Sequence, residues 1–433
     1  MKKLLILFFV LPLLSIAQSV KGTFSPADEF TYAFLYKATP KGANYVDRAQ
    51  LDSLGNFEIA LDSSVTAGIY KIVYAIPPED NNFDFIYDGK ETVAFNFSFE
   101  KGVNFTSSEE NKLWNSYLKS MDMVNQTISN YYAKANADKK GFNAIFKTLK
   151  DTQLGYEDLA KGKLVSSFIE ANRPYIPAQY EDVTTYSKHL KQHFLSHIDF
   201  SDPLLQSSTF LVDRITAYVF NMVENPSDEI YKQHVDDVAT AIPTDDLIIK
   251  SSLLEMLWQH FVTLENPTLA NYITDHYLLE LAKQTKNNAL KDQLITFKNT
   301  AIGTKAPNFD ITINDKNSSL HQLQGAENYL VIFWSSACGH CLNELPKVKA
   351  MVANKPQLKV VAYGLEDDDK KWIRETKKYP EFIHQIGLGK WNNPLVETYG
   401  VTATPTYFLL DASKVIIGKP NTIEELEELL KEI

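Results

Sequence analysis

The stretch Phe333-Trp334-Ser335-Ser336-Ala337-Cys338-Gly339-His340-Cys341 holds both cysteines of a 433-residue chain. As a disulfide the pair would close so short a loop that chain entropy supplies only about 2 kcal/mol. That makes a poor staple for a chain whose composition, 44% hydrophobic and 22% charged, can bury ordinary cores. A tetrahedral zinc site would need a second cysteine pair, and the only histidine close in sequence is His340, between the two. Redox chemistry is the reading that remains.

The flanking sequence reads as a mixed α/β layout. YLVIFWS (329–335) is a buried-strand run, and GHCLNELPKVKAMVA (339–353) has helical spacing. LKVVAYGL (358–365) is a second apolar strand, and DDKKWIRETKKY (368–379) is a charged amphipathic helix. TYFLLD (406–411) and KVIIG (414–418) pair as a hairpin, and TIEELEELLKEI (422–433) closes the chain as a helix. Cys338 then stands where a strand ends and a helix begins. There the helix dipole and free backbone N–H groups favour a thiolate. Cys341, three residues on, can attack a mixed disulfide formed at Cys338 and release the partner. His340, near the helix start, favours the Cys338 thiolate and so a more oxidising couple.

Further residues bring in a family. Gly303, Ala306, Pro307 and Phe309 form an entry segment. Phe333 and Trp334 precede the cysteines, Glu344 and Pro346 follow them, and Thr404-Pro405-Thr406-Tyr407 comes later. Over residues 302–433 this set resembles the exported TlpA/ResA-like thiol-disulfide oxidoreductases. The resemblance implies a C-terminal thioredoxin-like α/β domain that exchanges disulfides with protein partners. It implies catalytic roles for Cys338, Cys341 and Pro405, with Pro405 cis, facing the sulfurs; Glu344, three residues beyond Cys341, reads either as a catalytic proton carrier for the second thiol or as an ordinary exposed helix glutamate. Gly339, His340, Trp334 and Thr404 would modulate the pair, the backbone of Thr404 meeting an extended substrate segment. No cofactor is implied beyond a redox-active Cys338–Cys341 disulfide, and no metal. Partners would be protein thiols or disulfides, with a membrane electron carrier feeding a reductant. Two departures stand out: Ile332 occupies the position of thioredoxin's buried aspartate, and Ala337 that of a tryptophan common in relatives.

Direction stays open, since the Cys-Gly-His-Cys pair argues for an oxidising couple and the resemblance for a reductant. Two other functions stay open as well. One is a binding or scaffolding protein whose thioredoxin-like domain recognises without turnover. The other is a peroxidase, against which Ser335 and Val331 replace the threonine and proline that such a site needs before its cysteine.

Residues 1–17, with Lys2, Lys3, an apolar run from Leu4 to Leu14 and small Ser15 and Ala17, read as a cleaved secretory signal peptide. This places the protein outside the cytoplasm, most simply in the periplasm. The formal net charge of −11 gives no electrostatic footprint for nucleic acid. Residues 18–106 alternate apolar and polar between turn-rich breaks and predict a sandwich of antiparallel strands. Ser107 and Glu110 fit a capping box that opens a helical domain over 107–300, with Leu113, Tyr117, Met121, Val124 and Ile128 on one face. His189, His193 and His197 would share a face if their helix is continuous, a spacing that can bind metal. The thioredoxin-like domain takes 301–433. The whole reads as a multidomain α+β protein: a β sandwich, a helical middle domain and a C-terminal α/β domain.

Overall fold

Short runs over residues 18–107 form eight strands. The computed structural model describes residues 18–134, 138–314 and 316–433, so the signal peptide read at 1–17 lies outside the described residues. The chain makes two compact units, divided between Leu253 and Leu254.

The first unit opens with β1 (Gln18–Ser25), β2 (Tyr32–Thr39), β3 (Gly42–Gln50), β4 (Asn56–Leu61), β5 (Gly68–Val73), β6 (Asn82–Tyr87), β7 (Val93–Ser98) and β8 (Gly102–Ser107). They form two four-stranded sheets, ordered β4-β1-β7-β8 and β3-β2-β5-β6. Buried Val20, Phe24, Leu35, Ile72, Phe85 and Phe95 belong to one core. One pairing corrects the antiparallel expectation: β1 and β7 run parallel, from Val20 opposite Val93 to Ser25 opposite Ser98. The chain visits the second sheet through β5 and β6 before β7 returns, and parallel neighbours need such a crossover.

Helices follow: α1 (Glu109–Tyr132), α2 (Lys139–Ala160), α3 (Ser166–Ala171), α4 (Val183–His193), α5 (Pro203–Gln206), α6 (Phe210–Thr216) and α7 (Asp228–Ala241), with α8 (Leu247–Thr263) crossing the division. Tyr117, Met121 and Ile128 on α1 are buried, as their spacing predicts. The capping box is displaced. Ser108 is the N-cap, accepting from the Asn111 N–H, while Ser107 ends β8 and donates to the Thr92 carbonyl at 2.9 Å. The Glu110 carboxylate accepts instead from the N–H groups of Leu164 and Val165, at 3.1 and 2.8 Å. The histidines also part company, because α4 ends at His193 and His197 falls beyond it. His189 turns to Glu181 at 2.8 Å, and His193 stacks on Tyr175.

Buried Asn111 of α1 does the work of a missing strand. Its amide donates to the Ile86 carbonyl at 2.6 Å and accepts from the Ile86 N–H at 2.8 Å, pairing the edge of β6. Asn111→Ala leaves both groups buried and unpaired, at about 1–3 kcal/mol each. The variant is expected to lose about 2–6 kcal/mol of stability in urea unfolding.

In the second unit α9 (Pro267–Ile273), α10 (Leu279–Gln284) and α11 (Asn288–Thr300) precede the hairpin of β9 (Asp310–Ile313) and β10 (Lys316–Ser319). Then come β11 (Asn328–Trp334), α12 (Gly339–Val352), β12 (Leu358–Glu366), α13 (Lys370–Thr376), β13 (Ile383–Leu388), α14 (Pro394–Tyr399), β14 (Thr406–Asp411), β15 (Ile416–Gly418) and α15 (Ile423–Lys431). The five-stranded sheet is ordered β13-β12-β11-β14-β15, with β14 antiparallel to β11 and with β12 and β13 parallel. Central β11 is buried on both sides, which is why its sequence reads as an unbroken apolar run. Tyr329, Val331 and Phe333 enter one core, and Leu330, Ile332 and Trp334 the other. Helix α11 joins this unit: Thr296 donates to the Glu397 carbonyl of α14 at 3.1 Å. Gly364 on β12 is required by close packing, since a Cβ there would lie 2.4 Å from the Trp372 indole nitrogen.

Candidate active site

Strand β11 delivers Trp334 to the edge of the core, and the chain turns through Ser335, Ser336 and Ala337 into α12. Cys338 is the N-cap of that helix. Its Sγ accepts the Cys341 N–H at 3.3 Å and lies 3.2 Å from the Thr404 carbonyl, to which the thiol donates. The two cysteines are free thiols, Cys338 half-buried and Cys341 buried. Cys341 belongs to the core that holds Trp334, Leu345 and Tyr407, and Cys338 packs against it.

Their environments drive the two thiols apart. Partial burial pushes the Cys338 pKa up, but hydrogen bonds from the Cys341 and Thr404 side chains and from the N–H groups of Cys341 and His340 outweigh it. The net position is below an ordinary thiol. Burial, aided by the bond to Cys338, pushes Cys341 up to about 12. One sulfur is poised as a nucleophile and the other is held as a protonated thiol.

Thr404 and Pro405 lie just ahead of β14, and the peptide bond between them is cis, as the resemblance implies. Glu344, one turn beyond Cys341 on α12, accepts a hydrogen bond from the Tyr407 hydroxyl at 2.6 Å. Tyr407 is buried, and that burial, with the carboxylate beside it, pushes its hydroxyl pKa up. Cys338, Cys341, Glu344, Trp334, Thr404 and Pro405 are thus gathered at one end of the sheet. The remaining two residues differ. The His340 side chain is exposed, and its backbone N–H is what reaches Cys338. Nothing lies within 4 Å of a Cβ added at Gly339, so this geometry does not demand glycine there.

Sequence reasoning missed one buried carboxylate. Glu366, 5% exposed at the end of β12, accepts from the Ser336 N–H at 2.5 Å and the Ser336 hydroxyl at 3.0 Å. The Ser335 hydroxyl is a third donor, at 3.5 Å. Parallel register explains the meeting. Trp334 stands opposite Gly364, so the two residues after Trp334 arrive beside the last two of β12. In sequence Glu366 heads the acidic run Glu366-Asp367-Asp368-Asp369, which looks like a solvated helix entry.

The AhpC/TSA family profile matches residues 302–419. Two curated relatives named thiol-disulfide oxidoreductase ResA, from Bacillus thuringiensis subsp. konkukian and Bacillus cereus, are each 30% identical over 142 residues, covering 30% of this chain and 78% of theirs. Among solved structures, a thioredoxin-like protein from Bacteroides caccae is 21% identical, with a TM-score of 0.32 over 60% of this chain and 97% of its own. A thiol-disulfide oxidoreductase from Bacteroides fragilis is 20% identical, with a TM-score of 0.27 over 30% of this chain and 98% of its own.

Proposed function

This chain belongs to the ResA-like thiol-disulfide oxidoreductases, and we propose that it is an exported member that exchanges disulfides with protein partners through the Cys338–Cys341 pair. The observation that carries the reading is the contrast between the sulfurs: one half-buried at a helix start with its pKa lowered, the other buried with its pKa raised.

The steps balance as two-electron exchange. The Cys338 thiolate attacks one sulfur of a partner disulfide, forms a mixed disulfide and expels the other partner sulfur as a thiolate. Cys341 then gives up its proton and attacks Cys338. The pair becomes an intramolecular disulfide, and the partner leaves with both sulfurs reduced. Glu344, held by Tyr407, is the acceptor we assign to the Cys341 proton. Thr404 and Pro405 form the edge along which an extended partner segment lies. No cofactor enters beyond the disulfide itself. Export rests on the leader sequence at 1–17, and among the described residues no helix is long and apolar enough to cross a membrane. The division at 106/107 and 300/301 into β-rich, helical and thioredoxin-like domains belongs to the same proposal.

The test is turnover of a peptide disulfide by the purified protein, with its reduction potential measured in glutathione buffers. Turnover lost in Cys338→Ser supports the reading. A potential near or above about −180 mV assigns an oxidase or isomerase, and one near about −270 mV or below a reductase with its own electron supply. A pair that reductants cannot reach, with no turnover, overturns exchange in favour of a binding protein.

A further inference from the structure

The helical part of the first unit holds a cation without a carboxylate. Arg214, at the end of α6, donates through Nε and Nη2 to the Phe194 carbonyl at 3.2 and 2.8 Å, and through Nη1 to the Asn172 side-chain oxygen at 2.7 Å. Its guanidinium carbon lies 3.6 Å from the centroid of the Phe194 ring. Both acceptors are neutral, and a guanidinium has two more N–H donors. Neighbouring Arg173 shows the usual arrangement, paired with Glu157 at 2.8 Å. Among the described residues Arg214 has no such ion pair. Burial pushes its pKa down to about 10, so it stays a cation at neutral pH while lacking full compensation.

This cation lines a cavity of about 420 Å³, walled by Trp114, Phe168 and Phe210. It also lines an adjoining cavity of about 250 Å³. The larger volume falls in the range of small-ligand clefts, which combine apolar walls with a few fixed polar groups. The acidic groups on its wall do not neutralise the arginine. Asp84 is held by Lys71 at 2.7 Å and accepts the Thr209 N–H at 2.8 Å, and Asp213 is exposed. A planar guanidinium that is stacked, oriented and without an ion pair, with one N–H left on each of Nη1 and Nη2, suits a carboxylate.

We propose that this cavity is a binding site for a small apolar or aromatic carboxylate, its acid group on Arg214 and its body among Trp114, Phe168 and Phe210. The site is independent of the cysteine chemistry.

Isothermal titration of the purified protein with phenylacetate and with its uncharged analogue phenylacetamide tests this. Phenylacetate is expected to bind saturably and about tenfold or more tighter, because a charge-assisted contact is worth at least about one decade. Arg214→Met is expected to bring phenylacetate down to the level of the amide. Ala217→Leu, on the cavity wall and leaving the cation in place, is expected to weaken both probes, and it serves if Arg214→Met does not fold. Equal affinity for the two probes, phenylacetate binding unchanged in a folded Arg214→Met, or no saturable heat from either probe at millimolar concentration overturns the proposal.

Discussion

Iodoacetamide at pH 7 is expected to label Cys338 of the reduced, folded protein and to spare Cys341. Alkylation follows the thiolate. A thiol at about 12 rather than 9.0 ionises roughly a thousandfold less at neutral pH, before its burial is counted. Mass spectrometry of timed digests checks the order. The rate at Cys338 should rise with pH through a midpoint below 9.0, and comparable labelling of both sulfurs would refute the assignment. The same contrast sets the variants apart. Cys338→Ser is expected to lose disulfide exchange by at least about 10³-fold, the scale of losing an activated nucleophile. Cys341→Ser should accumulate the mixed disulfide, because nothing remains to resolve it. Linkage gives the sign for stability. Cys338, with its folded pKa lowered, adds stability as pH rises from that value towards 9.0. Cys341, with its pKa raised to about 12, removes stability above pH 9.0, where the unfolded chain alone loses the proton.

Glu366→Leu is expected to cost about 1–3 kcal/mol for each buried donor that loses its acceptor. It would leave the Ser336 N–H and two hydroxyls without their acceptor in a segment that is nearly or fully buried. Urea unfolding reads the loss. Since Ser335 and Ser336 lead directly into the helix that Cys338 caps, the folded fraction of the variant should also show a changed alkylation rate at Cys338. Glu366→Gln keeps one acceptor oxygen and should fall between the two. A Glu366→Leu protein as stable as the parent, with the parent's Cys338 rate, would remove Glu366 from the support of the site.

Most of the thioredoxin-like domain was legible because its signals are local. The apolar run 329–335 became central β11, the helical spacing after Cys338 became α12, and TYFLLD became β14. The first unit was less so. The parallel β1–β7 pairing depends on which sheet the chain visits between them. Ser107 and Glu110 matched a capping box in spacing, but the helix began one residue later and Glu110 was drawn to the N–H groups of Leu164 and Val165. Such a partner, more than fifty residues away, leaves no trace in a local pattern.

The sequence by itself determined that the two sulfurs stand three residues apart at the junction of a strand and a helix, since spacing and periodicity are properties of neighbouring residues. Tertiary structure decided what surrounds them: Thr404 against Cys338, Tyr407 on Glu344 and Glu366 beneath Ser335 and Ser336. It also decided that Arg214 stacks on Phe194 beside a cavity while Arg173 finds a carboxylate. The physical reason is the same in each case. Burial and long-range register choose a polar group's partner, and neither is encoded within the few residues around that group.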